Sequence, residues 1–405
     1  MEYRPTQKIL ENYANILVNF ALNSGKGIKK DEVVRISAHE SAKPLYVELR
    51  KAVLQAGGHI IGNYLPDDDD TFQPSRDFFE IAKDYQLKFF PEKYLRGLAD
   101  TIDHNVVIIS ERSKRVLAGI DPKKLMLPGI ASKPFKDWLD EKEGKGKYTW
   151  TLGLYGTAEM AKEAGLSEKE YWNQIIKACF LDEKNPIKKW KWVFKTLEIT
   201  RKKLNALPID LLNIEGKDAD LWIKVGEKRK WMGGSGRNIP SFELFISPDW
   251  RGTEGWIRFN QPLYRYGNLI TGIELEFKNG KVVKSSAKQN EHVLKQMIAT
   301  KNADKVGEFS LTDRRLSRIT KFMAETLFDE NVGGKEGNTH IALGNAYQDG
   351  YDGDAAKLKK KDWERLGFNK SSVHTDIVST TRRKVTAYLK NGKTKVIYEN
   401  GEFKL

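Results

Sequence analysis

The sequence predicts an α/β domain with an open, mostly parallel sheet and helices on both faces, followed by an α+β domain with short antiparallel strands. The chain has 405 residues, which is too many for one ordinary core. Its first half alternates helical and extended patterns, as parallel sheets with crossover helices do. Its second half changes, near residues 215–225, to short extended segments separated by Gly, Asn and Pro turns. We therefore assign residues 1–220 to the first domain and residues 221–405 to the second.

The first half opens with a helix and a βαβ unit. Apolar residues recur every three or four positions over residues 6–22, which indicates an amphipathic helix. Residues 32–37 and 59–64 are predicted strands on either side of a helix at 42–55. The alternation continues with a helix at 74–89, a strand at 105–110, a helix at 135–141, a strand at 148–154, one or two helices within 158–181 and a helix at 186–207.

The second half is dominated by short strands and two strong hairpin signals. Asn279-Gly280 and Asn391-Gly392 each predict a tight hairpin, because Asn and Gly tolerate the left-handed conformation of such turns. The composition predicts strands at 221–226, 241–247, 256–260, 269–277 and 281–288, and helices at 291–300 and 316–325. In this scheme Glu243 lies on a strand and Glu308 on a turn.

The basic charge of the chain raises the question of a nucleic-acid partner. The net charge is +14, but the basic residues are spread along the whole sequence. The densest runs, at 188–191 and 357–361, contain none of the motifs that read nucleic acids, and neither GxGxxG nor GxxxxGK[ST] occurs in the chain. We expect a solvated basic surface and no nucleic-acid partner.

Apolar patterning and cysteine usage indicate a cytoplasmic protein without a membrane partner. No apolar run approaches the roughly 20 residues needed to span a bilayer, and the N-terminal residues lack a secretory signal. The single cysteine, Cys179, excludes an internal disulfide and fits a reducing compartment. Its apolar neighbours predict a buried structural thiol.

Candidate metal ligands are concentrated towards the C-terminal end. Only six histidines occur, and two of them are His340 and His374. Asp376 follows His374 by two positions, so both side chains share one face if the segment is extended. Imidazole and carboxylate groups together suit Zn²⁺, Co²⁺ or Mn²⁺, and a two-metal hydrolytic centre is one interpretation. A single histidine, however, is more often an ordinary hydrogen-bonded residue, so these residues alone leave the function open.

Ordered motifs between residues 237 and 378 carry a family resemblance. They are NIPSFELFISP, QPLYRYGNLITG, KVGEFSL, FDENVGG with THIALGNAY, and SSVHTDIV. In order and spacing they resemble the thermophilic-type metallo-aminopeptidase family (aminopeptidase T and aminopeptidase S). The sequence departs from the family pattern at Phe309-Ser310, where Val-Ala is commoner, and in a longer segment before His340.

The resemblance implies a cytoplasmic, homodimeric exopeptidase that uses two divalent ions, Zn²⁺, Co²⁺, Mn²⁺ or Mg²⁺, on peptides with a free N-terminus. It places the active-site tyrosine at Tyr347. We expect Glu308 to act as the base towards the attacking water and Tyr347 to donate to the oxyanion. The metal ligands that the resemblance implies are Glu243, Glu308, Glu330, His340, His374 and Asp376.

Two other classes of function stay open from the residues. Carboxylate and histidine clusters also serve phosphoryl transfer, so a two-metal phosphoesterase is one alternative. The other is a basic nucleic-acid-binding protein without peptidase activity, which would show steeply salt-dependent binding.

Overall fold

The structure, a computed structural model, describes residues 3–113 and 115–405. The chain divides into two compact units. The first contains the residues up to Phe194 together with Ser235–Ser241, and the second contains Lys195–Gly234 and Phe242–Leu405. The division falls within the long helix Pro186–Asn205. The boundary at residue 220 remains a proposal about where independently folding domains separate.

The first unit is built on a parallel sheet of four strands. Its strand order is β2-β1-β3-β4, and every neighbouring pair is parallel. Successive parallel strands need crossover connections, which the intervening helices provide. The α/β fold class predicted for this half is confirmed. The strands are β1 Val33–His39, β2 His59–Leu65, β3 His104–Ile109 and β4 Thr149–Leu154.

Helices occupy most of the remaining first unit. The helix predicted at 74–89 is two helices, because Ala82 adopts an extended backbone conformation that ends the first of them. A π-helical segment, Leu17–Ala21, continues the first helix. The α-helices are α1 Gln7–Ile16, α2 Leu22–Gly25, α3 Lys43–Gln55, α4 Pro74–Ile81, α5 Asp84–Leu87, α6 Glu92–Thr101, α7 Pro122–Ala131, α8 Lys133–Gly144, α9 Ala158–Glu163, α10 Glu168–Ala178 and α11 Pro186–Asn205.

Buried tryptophans organise the core beside the sheet. The indole N–H of Trp190 donates to the carbonyl of Cys179 at 3.0 Å, and that of Trp172 donates to the carbonyl of Gly156 at 3.1 Å. Cys179 is itself buried, and burial raises the pKa of its thiol. A thiol that stays protonated is a poor nucleophile, so Cys179 is a structural residue.

The second unit contains two larger antiparallel sheets and a separate hairpin. Eight strands follow the order β12-β11-β8-β6-β5-β16-β17-β18, four follow β15-β14-β13-β7, and β9 pairs with β10. The antiparallel α+β class predicted for this half is confirmed. The strands are β5 Ile209–Gly216, β6 Ala219–Lys224, β7 Glu243–Ile246, β8 Glu254–Arg258, β9 Leu263–Arg265, β10 Asn268–Ile270, β11 Glu274–Lys278, β12 Lys281–Ser286, β13 Val306–Thr312, β14 Asn338–Gly344, β15 His374–Ser379, β16 Lys384–Leu389, β17 Thr394–Glu399 and β18 Glu402–Phe403.

Both predicted hairpins are present in the second unit. Asn279 and Gly280 have φ values of 52° and 76° in the turn between β11 and β12, and Gly392 has a φ of 80° in the turn between β16 and β17. The helices of this unit are α12 Glu291–Ile298, α13 Thr326–Asp329 and α14 Lys360–Leu366. Over the described residues, no helix is both long enough and apolar enough to cross a membrane.

The helix predicted at residues 316–325 is wrong. This segment is irregular because its polar groups are bonded to distant parts of the chain rather than to the next turn. The Ser317 hydroxyl donates to the carbonyl of Asn331 at 2.5 Å, and the carbonyl of Ile319 accepts from the amide of Gly333 at 3.0 Å. Ala324 also has a φ of 52°, which no α-helix accommodates.

Candidate metal centre

The register of the four-stranded sheet places the candidate ligands on one face. Residues directly opposite each other in antiparallel strands project to the same side, and side chains alternate along each strand. His340 lies opposite Ser310, and Asp376 lies opposite Ala342, which is two residues beyond His340. The same rule applied along β7, β13, β14 and β15 gives one shared face for Glu243, Glu308, His340, His374 and Asp376.

Glu308 lies on a strand, so its assignment to a turn was wrong. All seven residues of β13 are buried, and all seven of β14 are buried as well. Polar and apolar residues alternate from Glu308 to Thr312, which is a strand signal, but this segment is short and directly follows a glycine. The flanking Gly307 therefore suggested a turn in a segment that is a central strand of the sheet.

Glu330 reaches the centre from the loop that follows α13. The carboxylate of Asp329 accepts hydrogen bonds from the amides of Met323 and Glu325 at 2.7 and 2.9 Å. The hydroxyl of Thr312, on β13, donates to the carbonyl of Glu330 at 3.0 Å. These bonds fix the loop against the sheet, and the Glu330 side chain is buried.

The six ligands implied by the family resemblance converge. His340 Nε2 lies 3.3 Å from Glu243 Oε2, 3.4 Å from Glu308 Oε1 and 3.9 Å from Asp376 Oδ1. His374 Nε2 lies 3.7 Å from Glu308 Oε2 and 3.5 Å from Asp376 Oδ1. Three groups each bring one ligand atom per residue within 4.8 Å of one another: Glu243, Glu308 and His340; Glu308, His374 and Asp376; Glu330, His340 and Asp376.

Hydrogen bonds outside the cluster orient two of its members. His374 Nδ1 lies 2.8 Å from the carbonyl oxygen of Asn345, which can only accept, so Nδ1 carries a proton and Nε2 faces the carboxylates. The hydroxyl of Ser310 donates to Glu243 Oε2 at 2.6 Å. His340 Nδ1 is shielded from solvent and has no hydrogen-bond partner in the part of the chain that the structure describes.

The carboxylates of the centre raise one another's pKa. Burial raises the pKa of Glu243 to about 7, with the charge of Glu308 adding to the effect and that of His340 opposing it. Burial and the charges of Glu243 and Asp376 raise the pKa of Glu330 well above its ordinary value. Three buried carboxylates side by side are poorly compensated by two imidazoles, and a divalent cation would relieve the repulsion.

The pKa values of the two histidines are also raised, because the neighbouring carboxylates favour the charged imidazolium. Burial lowers the pKa of His340, but its hydrogen bond to Glu308 and the charge of Glu243 outweigh burial and raise the pKa to about 9. Burial also lowers the pKa of His374, but the charge of Asp376 and the hydrogen bond with it outweigh burial and raise the pKa to about 9. Burial raises the pKa of Asp376, but the charge of His374 and the hydrogen bond with it outweigh burial and lower the pKa. The set of oxygen and imidazole donors therefore fits a divalent metal ion.

Tyr347 lies beside the centre. Its ring centroid is 4.9 Å from that of His374 and 5.7 Å from that of Phe245. Its amide donates to the hydroxyl of Ser247 at 2.9 Å, which fixes the backbone at this position. The residue implied as the active-site tyrosine is thus next to a candidate ligand.

Two further polar residues near the cluster were not assigned a role from the sequence. Ser310 follows Glu308 by two positions, a spacing that places it on the same face once the segment is recognised as a strand. Burial raises the pKa of Asp376, and the positive charge of Arg265, on β9, opposes this after the larger contributions of His374 and His340. Its position in the QPLYRYGNLITG motif was the only sequence signal for it.

Known proteins resemble this chain in sequence and in fold. The sequence model of the family described as thermophilic metalloprotease (M29) matches residues 6–403. Aminopeptidase PepS of Streptococcus thermophilus is 27% identical over an alignment that is 423 residues long, gaps included, and covers 97% of both chains. Aminopeptidase T of Thermus thermophilus is 27% identical over 391 aligned residues, which cover 91% of both chains. The structure of wild-type AmpT from Thermus thermophilus shares the fold, with a TM-score of 0.82 at 24% identity over 98% of this chain and 100% of that one.

Proposed function

This chain belongs to the thermophilic metalloprotease (M29) family and is a metallo-aminopeptidase, and we propose that it removes the N-terminal residue of peptides with a water activated by two divalent ions. The family resemblance predicted from the ordered motifs is confirmed by the family match. One observation supports the two-ion proposal most directly. Glu308 belongs both to the group with Glu243 and His340 and to the group with His374 and Asp376.

The two oxygens of Glu308 suggest how the ligands divide. Oε1 faces His340 and Oε2 faces His374, as expected of a carboxylate that bridges two ions. We assign Glu243 and His340 to one ion and His374 and Asp376 to the other. Glu330, in the group with His340 and Asp376, completes the buried side.

The ligand types accept several metals. Carboxylate and imidazole donors bind Zn²⁺, Co²⁺, Mn²⁺ and Mg²⁺ in overlapping geometries. When bound, such ions polarise a carbonyl and lower the pKa of a coordinated water from 15.7 to about 7. The buried carboxylates confine this chemistry to the side of the cluster where His374 and Asp376 retain some exposure.

Two side chains of this protein carry out the proton transfers and stabilise the oxyanion. Glu308 takes the proton of the attacking water and passes it to the leaving amine. Tyr347, held beside His374, donates its hydroxyl hydrogen to the oxyanion of the tetrahedral intermediate. The carboxylates would be balanced by the two ions, and an ion bound at this centre would also accept the peptide's free α-amine as a ligand, which favours free N-termini.

Hydrolysis of aminoacyl anilides tests this function. We expect the purified protein to cleave Leu-p-nitroanilide once Co²⁺ or Zn²⁺ is added, and to lose the activity to a chelator. Glu308→Gln should abolish turnover and lower the metal content, because Glu308 is proposed both as the base and as the ligand shared by the two ions; a full metal content would exclude the bridging role. Cleavage of p-nitrophenyl phosphate with no cleavage of the anilide would instead identify a phosphoesterase.

A homodimer is proposed from the surface of the first unit. Five large apolar side chains within 23 residues of sequence, around α4 to α6, are each about two-thirds exposed or more, whereas isolated monomers rarely expose so dense a group. These side chains are Phe72 71%, Ile81 78%, Tyr85 72%, Phe89 73% and Tyr94 67%. We expect light scattering to give twice the mass of one chain. Ile81→Asp with Phe89→Asp should give the mass of one chain.

A cytoplasmic location is proposed from cysteine usage. The lone Cys179 is buried and has no cysteine to pair with, which fits a reducing compartment. Cell fractionation tests this location. The absence of a nucleic-acid or membrane partner remains a prediction.

A further inference from the structure

The β9–β10 hairpin lies next to the strand that carries two of the candidate ligands. The amide of Gln261, two residues before β9, donates to the carbonyl of Val378 at 3.4 Å. The Gln261 side chain donates to the hydroxyl of Thr380 at 2.9 Å. Val378 lies only two residues beyond Asp376 on β15, which is the edge strand of its sheet. The hairpin therefore begins beside the strand that carries His374 and Asp376.

The hairpin is a rigid support for the side chain at its tip. Residues Tyr266 and Gly267 have φ values of 51° and 71°, which is the backbone of a tight two-residue hairpin turn. The side chain of Asn268 donates to the carbonyl of Tyr266 at 2.7 Å and holds that turn closed. Arg265 is the last residue of β9 and lies opposite Asn268.

Arg265 has a desolvated donor without a partner. Its Nε is shielded from solvent and makes no hydrogen bond within the described residues, although the side chain as a whole is only partly buried. The guanidinium lies 4.8 Å from the ring centroid of Tyr266, which restricts its orientation. Leaving a buried donor unpaired is unfavourable, so such a group in a binding site indicates a bond that a ligand supplies.

The charges around Arg265 indicate which kind of ligand it binds. Burial raises the pKa of Asp376, whereas His374, His340 and then Arg265 lower it, so the guanidinium lies within electrostatic range of this carboxylate. A guanidinium presents N–H donors in a fork that matches a carboxylate. The proposed ions would balance the charge of the carboxylates and bind the free amine of a peptide, which leaves the guanidinium as the positive group for the other end of the substrate. A short peptide has the complementary pattern, with a free amine at one end and a carboxylate at the other.

We propose that Arg265 binds the C-terminal carboxylate of short peptides, so that di- and tripeptides are the preferred substrates of this enzyme. An extended chain advances about 3.3–3.6 Å per residue, so only a short peptide places its carboxylate near the centre while its first peptide bond is being cleaved. The proposal rests on the aminopeptidase function proposed above. It adds a substrate class and a specificity-determining residue.

Matched acids and amides isolate the carboxylate contact. The experiment compares kcat/KM for Leu-Gly and Leu-Gly-Gly with kcat/KM for their C-terminal amides. For the wild-type protein we expect a preference for the acids of roughly 10- to 100-fold, as a charge-assisted hydrogen bond gives. In Arg265→Gln the preference should fall to about one while the rate on the amides is retained. Arg265→Lys, which keeps the charge but not the fork, should give an intermediate preference.

Controls separate this contact from a structural effect. Arg258→Gln removes another arginine of the same unit, one that is exposed and paired with Glu274, and should leave the preference unchanged. Zinc content per chain and the thermal melt of Arg265→Gln should match those of the wild type. Equal wild-type rates on acids and amides would overturn the proposal. An equal loss on both substrates in Arg265→Gln would also overturn it. If no peptide is cleaved, the aminopeptidase function itself fails.

Discussion

The hydroxyl of Ser310 donates a 2.6 Å hydrogen bond to Glu243 Oε2, across two neighbouring strands and out of contact with solvent. One Glu243 oxygen is therefore held in place by the sheet itself. Since the same oxygen lies 3.3 Å from His340 Nε2, the bond also fixes the spacing between two candidate ligands.

Removing the hydroxyl should weaken metal binding. Partners that orient a metal ligand typically change metal affinity by 10- to 100-fold, so Ser310→Ala should raise the Kd for Zn²⁺ by about that factor. Equilibrium dialysis measures the change. Ser379→Ala, which removes another buried hydroxyl, one that is bonded to Thr381, is the matched control and should leave the Kd unchanged. Equal affinity in both variants would show that Ser310 does not orient the ligand.

Metal binding should release protons. The pKa values of His340 and His374 are about 9 in the metal-free protein, so both imidazoles are protonated at pH 7. A ligating imidazole must be neutral, so affinity should rise as the pH increases from 7 to 9 and fall below that range. Titration calorimetry in buffers of different ionisation enthalpy should record at least two protons released per chain at pH 7. A value near zero would contradict the assignment of both histidines as ligands.

Glu330→Gln should separate stability from metal binding. Burial and neighbouring carboxylates raise the pKa of Glu330, so folding without metal must either protonate this carboxyl or bury its charge; glutamine avoids that cost, and we expect an equal or higher Tm without metal. The wild type should gain about 2.7 kcal/mol of stability at a metal concentration 100 times Kd, and the variant should gain clearly less. Thermal melts with and without Zn²⁺ test this. The same metal-induced gain in both proteins would exclude Glu330 from the ligands.

Tyr347→Phe should slow turnover with little effect on substrate binding. Loss of one oxyanion donor typically lowers kcat by roughly 10²- to 10³-fold. We expect that fall in kcat on Leu-p-nitroanilide with KM changed only slightly. Tyr351→Phe alters a nearby buried tyrosine that packs on Trp363 and Phe368, and should retain the wild-type kcat. A Tyr347→Phe variant with full kcat would assign the ring a packing role only.

The fold class and the identities of the converging residues could be predicted from the sequence. The way in which these residues converge could not. The alternation of helices and strands in the first half and the Asn-Gly turns in the second are local signals, and they were sufficient. The alternation of polar and apolar residues from Glu308 to Thr312 predicts a strand with Glu308 and Ser310 on one face, but Gly307 at its start suggested a turn instead. The bonds that make residues 316–325 irregular join residues up to 14 positions apart, and no local propensity reveals them. The role proposed for Arg265 could not be predicted, because no local signal shows that the chain leading into β9 lies beside β15.

A zinc-soaked crystal, examined by anomalous scattering at the zinc edge, tests the central claim most directly. Two peaks about 3.5–4 Å apart should lie on either side of the Glu308 carboxylate, one next to His340 and the other next to His374. A single peak, or peaks that none of the six residues contacts, would contradict a two-metal centre at this site.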